Sequence, residues 1–289
     1  MAPRDPIGVV RRHPLACYFG AAYLVSLAAL AIVGLPKLHR GGGRPTTALV
    51  MFPVMVIAVG LTGVGLTAVT GGRAGLTQLR SRVAWPAHRR WLLLLALPPM
   101  AILVVLGVLD ALVSPRFAPK LFVFGIAAGL LAGFSEELGW TGFAYPRLRA
   151  RFGALPGALL LGALWGMWHF PVVDSLGAAS PHGRYIPAFF AAFMTLVVAL
   201  RVLIAWLYNR TGSLLMAQLL HASSTGFLVV FSAPAVTPAQ EALWYFLYAA
   251  VLWAVVIAVI ASGGSALGAA SSGGRHARRP LVGSAAVGR

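Results

Sequence analysis

The chain has 289 residues, of which 59% are hydrophobic and 10% charged, and its mean hydropathy is +0.84, which excludes an ordinary soluble domain. Its net charge of +17 raises nucleic acid as a partner, yet the arginines stand singly or in twos and threes between apolar runs of about 20 residues, as topology signals do, so no nucleic-acid partner is expected. The single cysteine, Cys17, excludes an intrachain disulfide and leaves thiol redox chemistry without a partner.

In chain order, a short basic segment, 1–15, precedes a first apolar run, 16–35, which Pro36 stops and which is too long for a signal peptide. A second run, 47–69, is expected to end at Gly71-Gly72, and a third, 91–113, to kink at Pro98-Pro99. The fourth run, 121–145, carries Glu136 and Glu137 together with Gly125, Gly129 and Gly133, a ladder that lets a neighbouring helix approach closely. A fifth, 156–173, contains Trp165 and His169. A sixth, 185–208, contains Arg201; a seventh, 213–232, carries His221; an eighth, 242–261, precedes a Gly/Ser/Ala/Arg-rich tail, 262–289, expected to be disordered.

The expected fold is therefore an all-α polytopic membrane protein with about eight transmembrane helices over 16–261 and a motif-bearing core at about 120–232. With both termini on one side, 16 of the 23 Lys and Arg fall on that side and six on the other, Arg201 lying inside the sixth run. The positive-inside rule then places both termini in the cytoplasm of a cell-membrane protein whose surroundings are the lipid bilayer. No internal repeat supports an inverted-repeat transporter.

Two of only six acidic residues, Glu136 and Glu137, sit side by side in a membrane-buried run, at a cost of about 2.5–3.5 kcal/mol per ionised group on insertion scales. Candidate partners are His169 and His221; at 1.5 Å per residue Glu136 and His221 lie about 12–14 Å from the cytoplasmic ends of their helices, and His169 nearer about 20 Å. An intramembrane site from the fourth, fifth and seventh helices follows. A glutamate there suits general-base activation of water, and an imidazole can orient water, donate to an oxyanion or bind a metal. Zinc or another divalent ion held by Glu136, His169 and His221 is one expectation, although no His-Glu-x-x-His helix is present. A proton-coupled carrier is the reading from another class.

Glu136-Glu137 followed by Thr141-Gly142-Phe143, Trp165-x-x-x-His169, and His221-Ala222-Ser223-Ser224-Thr225 resemble the three ordered motifs of the CAAX-protease and bacteriocin-processing family of intramembrane proteases. The resemblance implies an endopeptidase acting on a peptide or membrane protein, with Glu136, Glu137, His169 and His221 catalytic. Glu136 and His169 would activate water, His221 would stabilise the oxyanion or join a metal, and Glu137 would orient the site or share its proton. Three positions depart from the pattern: Thr141 replaces an arginine, Thr225 an asparagine or aspartate, and Trp165 a phenylalanine. An inactive member serving as chaperone or immunity factor is the alternative those departures raise. Because Thr141 cannot supply a guanidinium, Arg201, about 10 Å from its helix end, is the best candidate for a surrogate cation, the other reading of an arginine so near a helix end being that it snorkels to the cytoplasmic interface.

Overall fold

The computed structural model describes residues 6–31, 44–262 and 267. Among these residues ten α-helices follow in order: α1 (Pro6–Arg12), α2 (Pro14–Ala29), α3 (Arg44–Ser81), α4 (Leu97–Leu112), α5 (Phe124–Gly139), α6 (Tyr145–Phe152), α7 (Ala154–Trp168), α8 (Ile186–Thr211), α9 (Leu214–Val230) and α10 (Pro238–Ala261). The protein is all-α and membrane-embedded, with one two-stranded ribbon pairing Lys120 with Ser232 and Leu121 with Phe231. Helices occupy all eight stretches expected to span. Met51–Ser81, Arg89–Leu112, Gly183–Thr211 and Pro238–Ala261 are each long and apolar enough to cross a bilayer, while α2, α7 and α9 are apolar but shorter. The end of the first expected span, 32–35, and the tail apart from 262 and 267 lie outside the described residues.

Several boundaries differ from expectation for local reasons. At Gly72 the backbone is not helical, with φ 58° and ψ −152°, a region that costs glycine little, so the span breaks at Gly71-Gly72 as expected and a second helical stretch of α3 runs on to Ser81 beyond the kink. Pro98 and Pro99 do not kink a helix: a 3₁₀ segment, Arg89–Ala96, gives way to α4 at Leu97, and both prolines fall in the first turn, where an amide N–H would have no partner. The fifth run stops being α-helical at Trp168, short of Val173. Beyond it Phe170–Ser175 winds as 3₁₀, since Pro171 cannot extend the α-helical ladder, and His169 becomes the C-cap of α7. Past α5, Trp140–Ala144 forms a π-helical turn before α6.

Helix α5 lies at the centre, clasped on two faces. On one, Gly125, Gly129 and Gly133 meet the backbone of α9 so closely that a Cβ on Gly129 would stand 2.3 Å from the Ala222 carbonyl oxygen and 2.6 Å from Gly226 Cα. On the other, a Cβ on Gly60 of α3 would meet the Ser135 carbonyl oxygen at 2.3 Å. The approach to α9 is what carries His221 to the acidic pair. Ser213 caps α9 by accepting from the Met216 amide, and Thr237 with Gln240 forms a capping box on α10.

At the opposite end of the molecule Glu241 of α10 ties down the α7–α8 loop. Its carboxylate accepts the Ala178 and Ala179 amides at 2.7 and 2.8 Å and meets His182 Nε2 at 3.1 Å. Sequence reading had not singled out Glu241.

Gly129→Ala is expected to cost about 3 kcal/mol of unfolding free energy, because two backbones must separate to admit one methyl. Gly107→Ala, where a Cβ meets nothing within 4 Å, should be neutral or stabilising. Denaturant titration of both variants in detergent micelles provides the comparison.

Candidate active site

Glu136 and Glu137 are adjacent on α5, 2% and 0% exposed, so neither is hydrated by bulk water and each must find its donors within the protein. Successive positions on a helix point about 100° apart, and the two carboxylates accordingly reach different neighbours.

Glu137 is saturated. Arg201 of α8 grips it with both prongs of its guanidinium, Nη2 to Oε1 at 2.7 Å and Nη1 to Oε2 at 2.9 Å. His221 Nδ1 stands 2.8 Å from Oε1, and the Thr141 hydroxyl donates to Oε2. Four donors thus fill a carboxylate that offers about four lone-pair sites. Thr141 sits one helical turn past Glu137 and accepts from Arg201 Nη1 at 3.1 Å, so its hydroxyl is used in both senses. Arg201 is 0% exposed and does not snorkel to the interface. Its guanidinium carbon lies 4.3 Å from the centre of the Trp165 ring, and Nε is the guanidinium nitrogen without a partner.

Glu136 is held at one oxygen. Its Oε2 accepts the indole N–H of Trp140 and that of Trp165, each at 2.9 Å, and among the described residues Oε1 has no protein partner. Trp165 therefore joins the two halves of the site: its N–H fixes Glu136, its face carries Arg201, and its ring stands 4.8 Å from that of His221. A phenylalanine here could pack but could not donate. Trp140 was not anticipated, although its position four residues after Glu136 places it on the same helical face. Tyr18 of α2 buttresses it edge to face at 5.4 Å.

The histidines are placed differently. His221, 1% exposed, belongs to the Glu137 network, and its Nε2 has no protein partner among the described residues. His169, at the end of α7, is half-buried against Trp168 and Phe193. Its Nδ1 lies 2.9 Å from the Trp165 carbonyl oxygen, so Nδ1 carries the hydrogen and in the neutral ring Nε2 keeps its lone pair. No hydrogen bond links His169 to either glutamate, in keeping with the greater depth read from its helix. Thr225, half-buried on α9, makes no hydrogen bond to the cluster among the described residues.

Among the described residues no three His, Cys, Asp or Glu side chains stand together as a metal-binding group. Glu136 turns one oxygen to two indoles, and His169 Nδ1 meets the Trp165 carbonyl oxygen. Four helices build the site, not three, since α8 supplies Arg201.

Residues 118–227 match the family model described as "Type II CAAX prenyl endopeptidase Rce1-like". "CAAX prenyl protease 2" of Methanococcus maripaludis is 40% identical to this chain over 60 residues, 21% of this chain and 20% of that protein. The alignment thus spans about a fifth of that relative's length.

Trp165→Phe keeps the packing but removes one of the two donors to Glu136 and thins the stack on Arg201. It is expected to lower unfolding free energy by about 1.5–3 kcal/mol, the range for a hydrogen bond to a charged group. Denaturant titration in detergent reads the loss, and an unchanged midpoint would contradict the role given to the indole N–H.

Proposed function

We propose that the protein is an intramembrane endopeptidase of the Rce1-like CAAX type whose general base is Glu136, a reading supported by the family-model match over residues 118–227. The observation that carries the assignment is the unequal saturation of the two carboxylates. Glu137 has no free lone-pair site with which to take a proton, whereas Glu136 keeps Oε1 unengaged while its other oxygen is fixed. A base held at one atom and open at the other is positioned for proton transfer without losing orientation.

In the reaction, water lies between Glu136 Oε1 and the scissile carbonyl carbon. Glu136 removes its proton as the oxygen attacks, and the protonated carboxyl then gives that proton to the departing amine as the carbon–nitrogen bond breaks. His169 Nε2, an acceptor when Nδ1 is bound to the Trp165 carbonyl, is left to meet substrate or a second water on its own side of Trp165. His221, in its protonated form, donates Nδ1–H to Glu137 and Nε2–H to the developing oxyanion. Glu137 and Arg201 anchor His221 and take no part in proton transfer. This is the two-carboxylate logic in which neighbouring environments separate the roles of like groups.

The substrate class is a membrane-associated peptide or protein, presented within reach of a site buried among helices. The relative from Methanococcus maripaludis is a CAAX prenyl protease by name. For this chain the reading extends only to a peptide bond brought to the bilayer. Transport and a purely chaperoning role lack a comparable observation in favour of either.

Glu136→Gln preserves an acceptor for both indoles and removes the base. Turnover on a peptide library should fall by about 10²–10⁴-fold, the usual contribution of general-base catalysis, while the unfolding midpoint stays near that of the wild type. Cleavage by the variant at the wild-type rate would remove the assignment.

A further inference from the structure

Away from the acidic pair, at the bundle end where α2 begins and α6 lies, the surface carries a second arrangement of charge. A cavity of about 260 Å³ lies at the other end beside Glu241, but its carboxylate is already occupied by the α7–α8 loop. Among the described residues the cationic end has no such occupant. There Arg12 and His13, joining α1 to α2, face Arg147 and Arg151 of α6 across a cavity of about 230 Å³ floored by Pro14 and Leu15.

None of the three arginines has an ion-pair partner among the described residues. Arg12 Nε donates to the Gly8 carbonyl at 3.1 Å. Arg147 is fixed by neutral acceptors, the Phe143 carbonyl at 2.8 Å and the Thr70 hydroxyl at 3.2 Å, with its guanidinium 3.7 Å above the Phe143 ring. These contacts set its direction and leave its charge uncompensated. Burial, and after it the positive charge of Arg82, disfavour the charged form of Arg147, a cost that a bound anion would relieve. Among the described residues Glu136, Glu137, Asp174 and Glu241 are held in clusters elsewhere, and no ion pair joins Asp110 to the notch.

The surroundings of this cavity are those of an interface. Its floor is the first turn of an apolar helix, and the flanking Ile7, Val9 and Phe152 are 52%, 39% and 44% exposed. Apolar side chains beside clustered arginines suit an amphiphile whose chains enter the bilayer while its head meets the cations. We infer that this notch between the α1–α2 junction and α6 binds the phosphate headgroup of an anionic phospholipid, with the arginines on the phosphate oxygens and the acyl chains along α2. Free phosphate shares the oxygen chemistry but has nothing to place on the apolar margin.

The test uses the full-length protein in detergent micelles titrated with phosphatidylglycerol, retention being read by native mass spectrometry. Arg147→Gln/Arg151→Gln should weaken apparent affinity by at least about tenfold, since each interfacial arginine contributes on the order of a fewfold or more. Arg210→Gln, which removes an exposed charge at the same end but outside the notch, should change it by less than about twofold. Phosphatidylcholine should be retained poorly, and millimolar inorganic phosphate should not displace phosphatidylglycerol. Equal loss in Arg210→Gln, unchanged retention in the double variant, equal retention of phosphatidylcholine, or displacement by inorganic phosphate would each overturn the proposal. Should the double variant fail to fold, Arg151→Gln alone, at an exposed position, must still lower affinity severalfold.

Discussion

The buried pair between Glu137 and Arg201 is the constraint on which the rest of the structure depends. A carboxylate and a guanidinium, both 0% exposed, have each given up water, and two parallel hydrogen bonds with supporting donors from Thr141 and His221 replace it. Buried ion pairs repay desolvation only when their geometry is good and their remaining sites are filled. Here those conditions recruit four elements: α5 for Glu137, the π-helical turn for Thr141, α8 for Arg201 and α9 for His221. The glycine ladder between α5 and α9 serves the same end, because a wider separation would carry His221 away from the carboxylate.

Saturating one carboxylate makes its neighbour useful. With Glu137 committed to cations, the proton-accepting role falls to Glu136, whose indole partners orient it and supply no positive charge. Trp165 couples these tasks, since the ring that donates to Glu136 also carries Arg201 and stands beside His221. The cation on Glu137 comes from α8, and the Thr141 hydroxyl, in the π-helical turn, bridges carboxylate and guanidinium. The proposed lipid notch draws on the same scarcity of acidic residues: four of the six carboxylates are spent on internal clusters, and among the described residues none pairs with the arginines of the notch.

What could be read in advance followed from costs that act locally. Eight apolar runs were visible because hydropathy needs no tertiary information, and all eight contain helix. The need for a cation near the acidic pair was legible because an unpaired charge in a membrane is expensive, and residue depth alone pointed to Arg201. Helix boundaries were not so accessible. Pro98-Pro99 reads as a kink until the preceding 3₁₀ segment fixes where α4 begins. The π-helical turn after Gly139 has no periodic signature. Trp140 was missed as a partner of Glu136 because an apolar ring in an apolar run reads as packing, although its spacing was available. His169 was visible as an intramembrane histidine and Thr225 entered through motif resemblance; the end of α7 and the face of α9 decide where those side chains go, and neither feature is encoded in the sequence pattern.

A double-mutant cycle on Arg201 and Glu137, read as unfolding free energy in detergent, tests the central claim most directly. If the pair is the buried anchor, Arg201→Leu and Glu137→Leu should each cost about 3–5 kcal/mol by stranding the other charge, and the double variant should recover much of that loss, giving a strongly non-additive cycle. Additive single losses, or an Arg201→Leu protein as stable as the wild type, would contradict the account.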